Sequence, residues 1–251
     1  MDNSQMATAA GDHPALPEAE ALTMQAEWLA PARAQLWRWV QIARRHSVLD
    51  LGTGYGAVVP ELVRRSGGRV VALDRELRPL RQPHSFAGAA RVAADGSCLP
   101  FSDGSFDLIF TQLTLLWIPA LDAVIADMWR TLRTGGVVVG LEPDYGGMIE
   151  YPPEVESREL WIASLSRAGA DPYVARKLPS KLATQGFDVR VSLFDTLVPP
   201  SPDRFAFLED LPLSAEERQE LEVLERRAQT LSETWAQVAH LPFFLIRAIK
   251  L

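Results

Sequence analysis

The chain has 251 residues, 47% hydrophobic and 23% charged, with a net charge of -7 at pH 7. That length carries one α/β domain with a large core plus an elaboration, and the acidic balance disfavours nucleic acid or an anionic membrane as partner, since both call for a basic face. One cysteine, Cys98, excludes an internal disulfide and a thiolate zinc cluster; no His/Asp/Glu group has metal-ligand spacing, and no run approaches the ~18 apolar residues of a membrane span.

Met1 to Glu20 is acidic and lacks the basic-then-apolar pattern of a signal peptide, so it reads as a mobile tail on a cytoplasmic protein. Leu22 to Arg45 predicts one long or two short helices, with Pro31 at a start or kink and Trp28, Leu29, Leu36, Trp39, Val40 and Ile42 on one face. On their own pattern the aromatics read as core and Arg33 as a solvated charge. Val48, Leu49 and Leu51 form a short apolar run, expected as a strand buried on both faces. Gly52, Gly54 and Gly56 follow at alternate positions, before a helix expected from Ala57, in which Pro60 is tolerated in the first turn. A strand, a glycine turn and a helix N-terminus let a ligand approach the backbone and find free amides; the alternative is a tight turn that binds nothing.

Arg69 to Asp74 is a second buried strand, closing on an acid about 20 residues after the turn, where a doubly wound fold places a carboxylate for ribose hydroxyls. Ala90 to Ala94 is a third strand, ending in Asp95-Gly96-Ser97, with Cys98 expected as a small packed residue after it. Phe106 to Phe110 is a fourth. Together these stretches resemble the class I S-adenosylmethionine-dependent methyltransferases. The resemblance rests on Leu49-Asp50-Leu51-Gly52-Thr53-Gly54-Tyr55-Gly56, Asp74, Asp95 with Leu99-Pro100-Phe101, Phe106-Asp107-Leu108-Ile109 and Leu132-Arg133-Thr134-Gly135-Gly136, in register from about Ser47 to Pro143.

The resemblance implies a doubly wound, mostly parallel seven-stranded sheet of Rossmann-like type, with S-adenosyl-L-methionine as cofactor and S-adenosyl-L-homocysteine as product. It implies that Asp74 holds the ribose and Arg75 flanks the adenine. Asp95 would accept from the adenine amino group, with the Gly96 or Ser97 amide donating to the ring. Gly52, Gly54 and Gly56 would admit the methionine end, with Thr53 in the same turn and Asp50 steadying the loop or the ammonium group. That Gln25, Trp28 and Arg33, in the helices before the first strand, line a site is implied only by the resemblance. Thr111-Gln112-Leu113 would face the sulfonium, and the absence there of an Asn/Asp-Pro-Pro-Tyr run lowers a nucleic-acid substrate further. The expected acceptor is a small molecule with an oxygen, nitrogen or carbon nucleophile. A peptide or protein acceptor and a catalytically silent binding fold are the alternatives. A nicotinamide dehydrogenase is weaker, because the turn reads G-x-G-x-G.

Leu121, Ile125, Met128 and Leu132 are spaced as one helix stripe, which Gly135-Gly136 is expected to end before a fifth strand, Val137 to Glu142. Glu142, Asp144 and Tyr145 at its carboxyl end are the acid/base candidates, the alternative being loop-capping carboxylates and a packed ring. His84, in an irregular loop, is a weaker candidate base. Helices are expected over Glu154 to Arg167 and Tyr173 to Gln185, and strands over Asp188 to Val198 and Pro242 to Leu251. Between those strands lies an insertion of about 199–241, in which Ser214 and Glu217 form a capping box and Leu221, Leu224, Ala228, Leu231 and Trp235 repeat by three and four. The expected organisation is a tail (1–20), then one domain (21–251) made of N-terminal helices (21–46), a cofactor-binding core (47–150) and this helical cap. The cap is expected to close over the acceptor near Tyr145. In the alternative, its apolar face packs on the sheet or on a second subunit of a homodimer.

Overall fold

In the computed structural model, which describes residues 17–82 and 84–251, the apolar run at Ser47–Leu51 forms strand β1. Its side chains alternate, so Val48 enters the apolar cluster on one face of the sheet while Leu49 and Leu51 enter the cluster on the other. A strand apolar at consecutive positions needs cover on both faces, and that requirement makes β1 central. Around it stand β2 (Arg69–Asp74), β3 (Ala89–Ala93), β4 (Phe106–Gln112), β5 (Leu132–Pro143), β6 (Ile149–Tyr151), β7 (Phe187–Phe194), β8 (Val238–His240) and β9 (Phe243–Lys250). Seven of these form one sheet in the order β3-β2-β1-β4-β5-β9-β7, and β6 and β8 pair separately. The pairings from β3 to β5 are parallel, whereas β9 runs antiparallel to both β5 and β7. The chain winds outward from β1 in both directions, so the crevice beyond the carboxyl ends of β1 and β4 is the switch point where such sheets take ligands.

Two helices, α1 (Ala19–Trp28) and α2 (Ala30–Val40), cover one face, with Pro31 in the first turn of the second. Leu29, Leu36 and Trp37 pack there against Val48, Val139 and Phe243, and the Trp37 and Phe110 rings lie 4.8 Å apart. The described part of the expected tail enters α1, so Glu20 is helical; residues 1–16 lie outside the described residues, as does the side chain of His84. Short α3 (Val59–Arg65) and α4 (Leu77–Leu80) follow β1 and β2. The opposite face is covered by α5 (Leu121–Thr131), α6 (Arg158–Arg167) and α7 (Val174–Gln185), then by α8 (Ala206–Glu209) and α9 (Ala215–Thr230) from the segment between β7 and β9.

Several expectations are corrected here. Gly135 and Gly136 do not end a helix: α5 stops at Thr131, and the glycines lie within β5, where the register slips from Phe106↔Leu132 to Leu108↔Val137. Strand β7 ends at Phe194, leaving Leu197 and Val198 exposed. The α3 helix starts at Val59 rather than Ala57, and α6 starts at Arg158 after a 3-10 turn at Pro153–Val155. Cys98 is exposed, not packed. The capping box is present: the Ser214 hydroxyl accepts from the Glu217 amide at 3.2 Å, and the Glu217 carboxylate accepts from the Ser214 amide at 2.6 Å. Leu221, Leu224 and Ala228 are buried, but α9 ends at Thr230. Trp235 sits beyond it at φ 67 and is half exposed, so the apolar stripe does not reach it.

One buried carboxylate ties the amino ends of three strands together. Asp107 of β4 accepts from the amides of His46 and Ser47 at 2.9 and 3.2 Å, and from the Arg133 guanidinium at 3.3 Å. Removing it strands two amides at the start of β1. Asp107→Ala should therefore lower unfolding free energy by about 2–4 kcal/mol, the sum of about 1–2 kcal/mol per orphaned amide, with the fold retained. Urea denaturation followed by far-UV dichroism checks this, and a loss below about 0.5 kcal/mol would show that these bonds do not hold the strand ends.

Candidate functional site

A cavity of about 630 Å³ opens at the switch point, a size within the range of pockets that take small molecules. Its first wall is the glycine turn. A Cβ on Gly52 would overlap the Thr114 side chain, and one on Gly56 would meet the Phe86 ring at 2.7 Å. Gly52 and Gly54 line the cavity, with Thr53 and Tyr55, whereas Gly56 faces Phe86 away from it. The expected free amides are not all there. Those of Gly52 and Thr53 donate to the Leu73 carbonyl at 2.8 and 3.0 Å, that of Gly54 to Asp74 at 2.8 Å, and that of Gly56 to the Thr53 carbonyl at 2.9 Å. The turn thus contributes close backbone approach more than donors.

Asp50 and Asp74 stand on either side of this turn. Asp50 is buried and accepts from the Thr53 hydroxyl at 2.6 Å. Burial pushes its carboxyl up to about 7, opposed by the Thr53 bond, reinforced by the Asp74 charge and opposed again by Arg33. Asp74 accepts from the Gly54 amide on one oxygen and from the Glu76 amide, at 2.9 Å, on the other. Burial raises its carboxyl too, against those two bonds. Each Asp74 oxygen accepts one such bond and keeps a second lone pair, and the residue lines the cavity. Asp95, exposed at the end of β3, accepts on Oδ1 from the Ser97 amide and hydroxyl at 2.7 and 2.5 Å, and these bonds hold its carboxyl below the usual range. Its Oδ2 and the Gly96 amide have no partner among the described residues. Arg75, Gly96 and Ser97 line the same end of the cavity.

Gln112 closes β4 and lines the cavity, its side-chain oxygen accepting from Arg33 at 3.1 Å. Arg33 is neither solvated nor at the cavity wall. It is buried, and it donates also to the Glu61 carboxylate at 2.9 Å and the Ala26 carbonyl at 2.6 Å, joining α1, α2 and α3 to the end of β4. Gln25 does line the cavity, while Trp28 is 47% exposed and meets Phe243 edge-on. Leu113, at φ 54, is held in the left-handed region beside Gln112, a conformation that no residue-type signal in the sequence announces.

The three acid/base candidates part company. Tyr145 lines the cavity, stacked at 5.2 Å on Trp161; burial and the Glu142 charge raise its hydroxyl. Glu142 lies behind the wall. One of its oxygens accepts from the amides of Thr114 and Leu115 at 3.3 and 3.2 Å, and burial pushes it up to about 7. Its other oxygen and the Thr111 hydroxyl have no hydrogen bond of regular geometry, although Thr111 is close enough to favour the charged form. Asp144 is tied to Arg176 by two bonds of 2.9 and 2.6 Å and does not line the cavity. Trp117, Trp161, Phe207 and Asp210 also form the wall. Sequence reading missed all four, because an aromatic or an acid on a helix carries no local mark of the cavity it will meet. Among the described residues no cluster of His, Cys, Asp and Glu is placed to hold a metal, and no helix is long and apolar enough to cross a membrane.

Residues 49–140 match the family model described as a methyltransferase domain. The chain is 35% identical, over 53% of its own length and 51% of the other's, to a malonyl-[acyl-carrier protein] O-methyltransferase of Pseudescherichia vulneris. It is 41% identical to a demethylmenaquinone methyltransferase of Roseiflexus castenholzii, over 38% and 41% of the two chains. The chain thus spans about half the length or less of these curated relatives. A putative methyltransferase of Bacillus halodurans superposes with a TM-score of 0.64 at 17% identity, over 86% of this chain and 97% of that one. A Haemonchus contortus phosphoethanolamine N-methyltransferase with S-adenosyl-L-methionine gives 0.57 at 16% identity, over 92% and 57%. The matched segment, a methyltransferase domain by that match, runs through the glycine turn, Asp74 and Asp95, and the seven-stranded, mostly parallel sheet around it has the class I, Rossmann-like methyltransferase fold of these structures.

Proposed function

We propose that the chain transfers a methyl group from S-adenosyl-L-methionine to a small-molecule acceptor and releases S-adenosyl-L-homocysteine. The observation that carries this reading is the pair Asp74 and Asp95, carboxylates at the carboxyl ends of neighbouring strands that face one cavity beside a close-approach glycine turn. Asp74 has a lone pair on each oxygen for two ribose hydroxyls. Asp95 has Oδ2 for the adenine amino group, and the Gly96 amide is available to the ring, whereas the Ser97 amide is already used by Asp95. Arg75 flanks that end, and Asp50, Thr53, Gly54 and Gln112 surround the methionine end. The relatives named for malonyl-[acyl-carrier protein], demethylmenaquinone and sarcosine support a small acceptor.

When bound, the cofactor supplies a methyl group on a positively charged sulfur, so the protein's part is alignment and exclusion of water. Tyr145 is the acid/base candidate that meets the acceptor. Glu142 is a positioning residue: through the Thr114 and Leu115 amides it fixes the turn after β4, and Asp144 fixes the following loop through Arg176. The segment of about 199–241 contributes Phe207, Asp210 and Leu211 to the acceptor side as its specificity wall.

Asp74→Ala and Asp95→Ala should each weaken S-adenosylhomocysteine binding by about 1.5–3 kcal/mol in calorimetry, the range for a lost charge-assisted bond. Asp95→Ala should leave thermal unfolding unchanged, because the residue is exposed. Wild-type affinity in the Asp74 variant removes the ribose assignment, and unfolding of the Asp95 variant makes that carboxylate structural.

The Glu142 carboxyl, at about 7 in the fold against 4.5 when unfolded, gives a second expectation. Across that interval the folded chain keeps a proton that the unfolded chain has released. The stability from this group is full below about 4.5 and is lost as pH rises through about 7, on the order of 3 kcal/mol. Asp50 contributes in the same direction. Glu142→Gln, which mimics the neutral acid, should match wild type at about pH 5 and exceed it in urea midpoint at about pH 8. An unchanged pH dependence would show that Glu142 is already ionised in the fold.

A further inference from the structure

The polar groups assigned to the cofactor account for the side of the cavity under β1, β2 and β3. The side beyond β4 is walled by Trp117, Tyr145, Trp161 and Phe207, with Asp210 at the end of α8. Its charge is one-sided. Among the described residues the cations that line the cavity are Arg75 and Arg78, both in the segment after β2, and Arg75 acts on Asp95. Arg204, the nearest cation in the cap sequence, has its guanidinium nitrogens buried, stacks on Phe205 at 4.3 Å and is not a lining residue. Asp210 has no ion pair among the described residues and is exposed toward solvent.

An acceptor carrying a carboxylate or phosphate at this end would meet no counter-charge and would face Asp210. A protonated amine meets the opposite conditions: a carboxylate for a charge-assisted hydrogen bond, and aromatic faces that attract cations. The wall also lacks a strong base. Glu142 stands behind it, and the Tyr145 hydroxyl is held more firmly protonated than usual. A hydroxyl acceptor needs such a base; an amine does not, once it has lost a proton to an exposed carboxylate.

Resting on the methyltransferase reading above, we propose that the acceptor is an amine with an apolar or aromatic body, recruited as its ammonium form by Asp210 and methylated on nitrogen. The ammonium proton passes to the Asp210 carboxylate and on to water. The freed nitrogen lone pair then forms the new N–C bond as the C–S bond of the sulfonium donor breaks, its electron pair staying on sulfur. Nitrogen gains the positive charge that sulfur loses. The aromatic wall holds the body of the amine, and Asp210 selects its charge.

Equilibrium binding separates this from the reading beneath it. The full chain is first titrated with S-adenosylhomocysteine, then, saturated with it, with phenethylamine, phenethyl alcohol and hydrocinnamate, followed by quenching of tryptophan fluorescence. The expected result is phenethylamine binding about ten-fold more tightly than hydrocinnamate, with Asp210→Asn bringing the two within about two-fold at unchanged S-adenosylhomocysteine affinity and unchanged thermal unfolding. Equal or tighter binding of hydrocinnamate, no measurable binding of phenethylamine, or an undiminished amine preference in Asp210→Asn each overturns the amine proposal while S-adenosylhomocysteine binding keeps the methyltransferase reading. Failure to bind S-adenosylhomocysteine overturns both.

Discussion

The contact between Gly52 and Thr114 sets the cavity. The turn leaving β1 and the turn leaving β4 diverge at the switch point, and here they touch, with the Thr114 hydroxyl donating to the Gly52 and Gln112 carbonyls at 3.4 and 3.0 Å. No side chain larger than hydrogen fits between them. The β4 turn reaches this position only because Leu113 takes a left-handed conformation, at a cost of about 1–2 kcal/mol for an L-residue. Three bonds from β5 offset that cost: the Leu113 amide donates to the Leu141 carbonyl, and the Thr114 and Leu115 amides donate to Glu142. The buried carboxylate at the end of β5 therefore shapes the cavity without lining it.

The same edge gathers three acids. Asp50, Asp74 and Glu142 are all buried at the carboxyl ends of β1, β2 and β5, and burial raises all three carboxyls. Arg33, the buried cation that opposes this at Asp50, is held by Glu61 and Gln112 behind the wall. A carboxyl raised in this way carries less charge near neutral pH, so the edge holds three acids without their full negative potential.

What was legible in the sequence was local. Val48, Leu49 and Leu51 must be covered on both faces, and an acid that closes such a strand necessarily stands at the sheet's carboxyl edge, so Asp74 and Asp95 could be placed from their own neighbours. The fate of the Gly52, Thr53 and Gly54 amides could not, because their acceptors, Leu73 and Asp74, belong to the next strand and are met only when β1 and β2 pair. Gly135 and Gly136 carry the same residue-type signal as a helix stop, yet they serve a register slip between β4 and β5 that only strand pairing reveals. Asp144 shares its strand end with Glu142, but an arginine 32 residues later in α7 claims it. The acceptor wall was invisible for the same reason: Trp161, Phe207 and Asp210 lie on three separate stretches that tertiary packing brings to one cavity.

The segment between β7 and β9 was expected as a lid, and its packing argues for a wall. Phe205, Leu208, Leu211, Leu221 and Leu224 are buried in the same apolar cluster as Tyr145, Val155, Trp161 and Leu165. Arg167 of α6 pairs with Glu217, so the residue that closes the α9 capping box also anchors that helix to the core. Swinging such a segment outward exposes several large side chains, each costing about 1.5–3 kcal/mol when moved from core to water. Opening at the opposite side, where α1 presents Leu22 and Gln25 beside the glycine turn, breaks far less apolar contact. The fold thus sets a lightly packed helix at the glycine-turn end of the cavity and a firmly packed cap at the other end, where Phe207 and Asp210 line it.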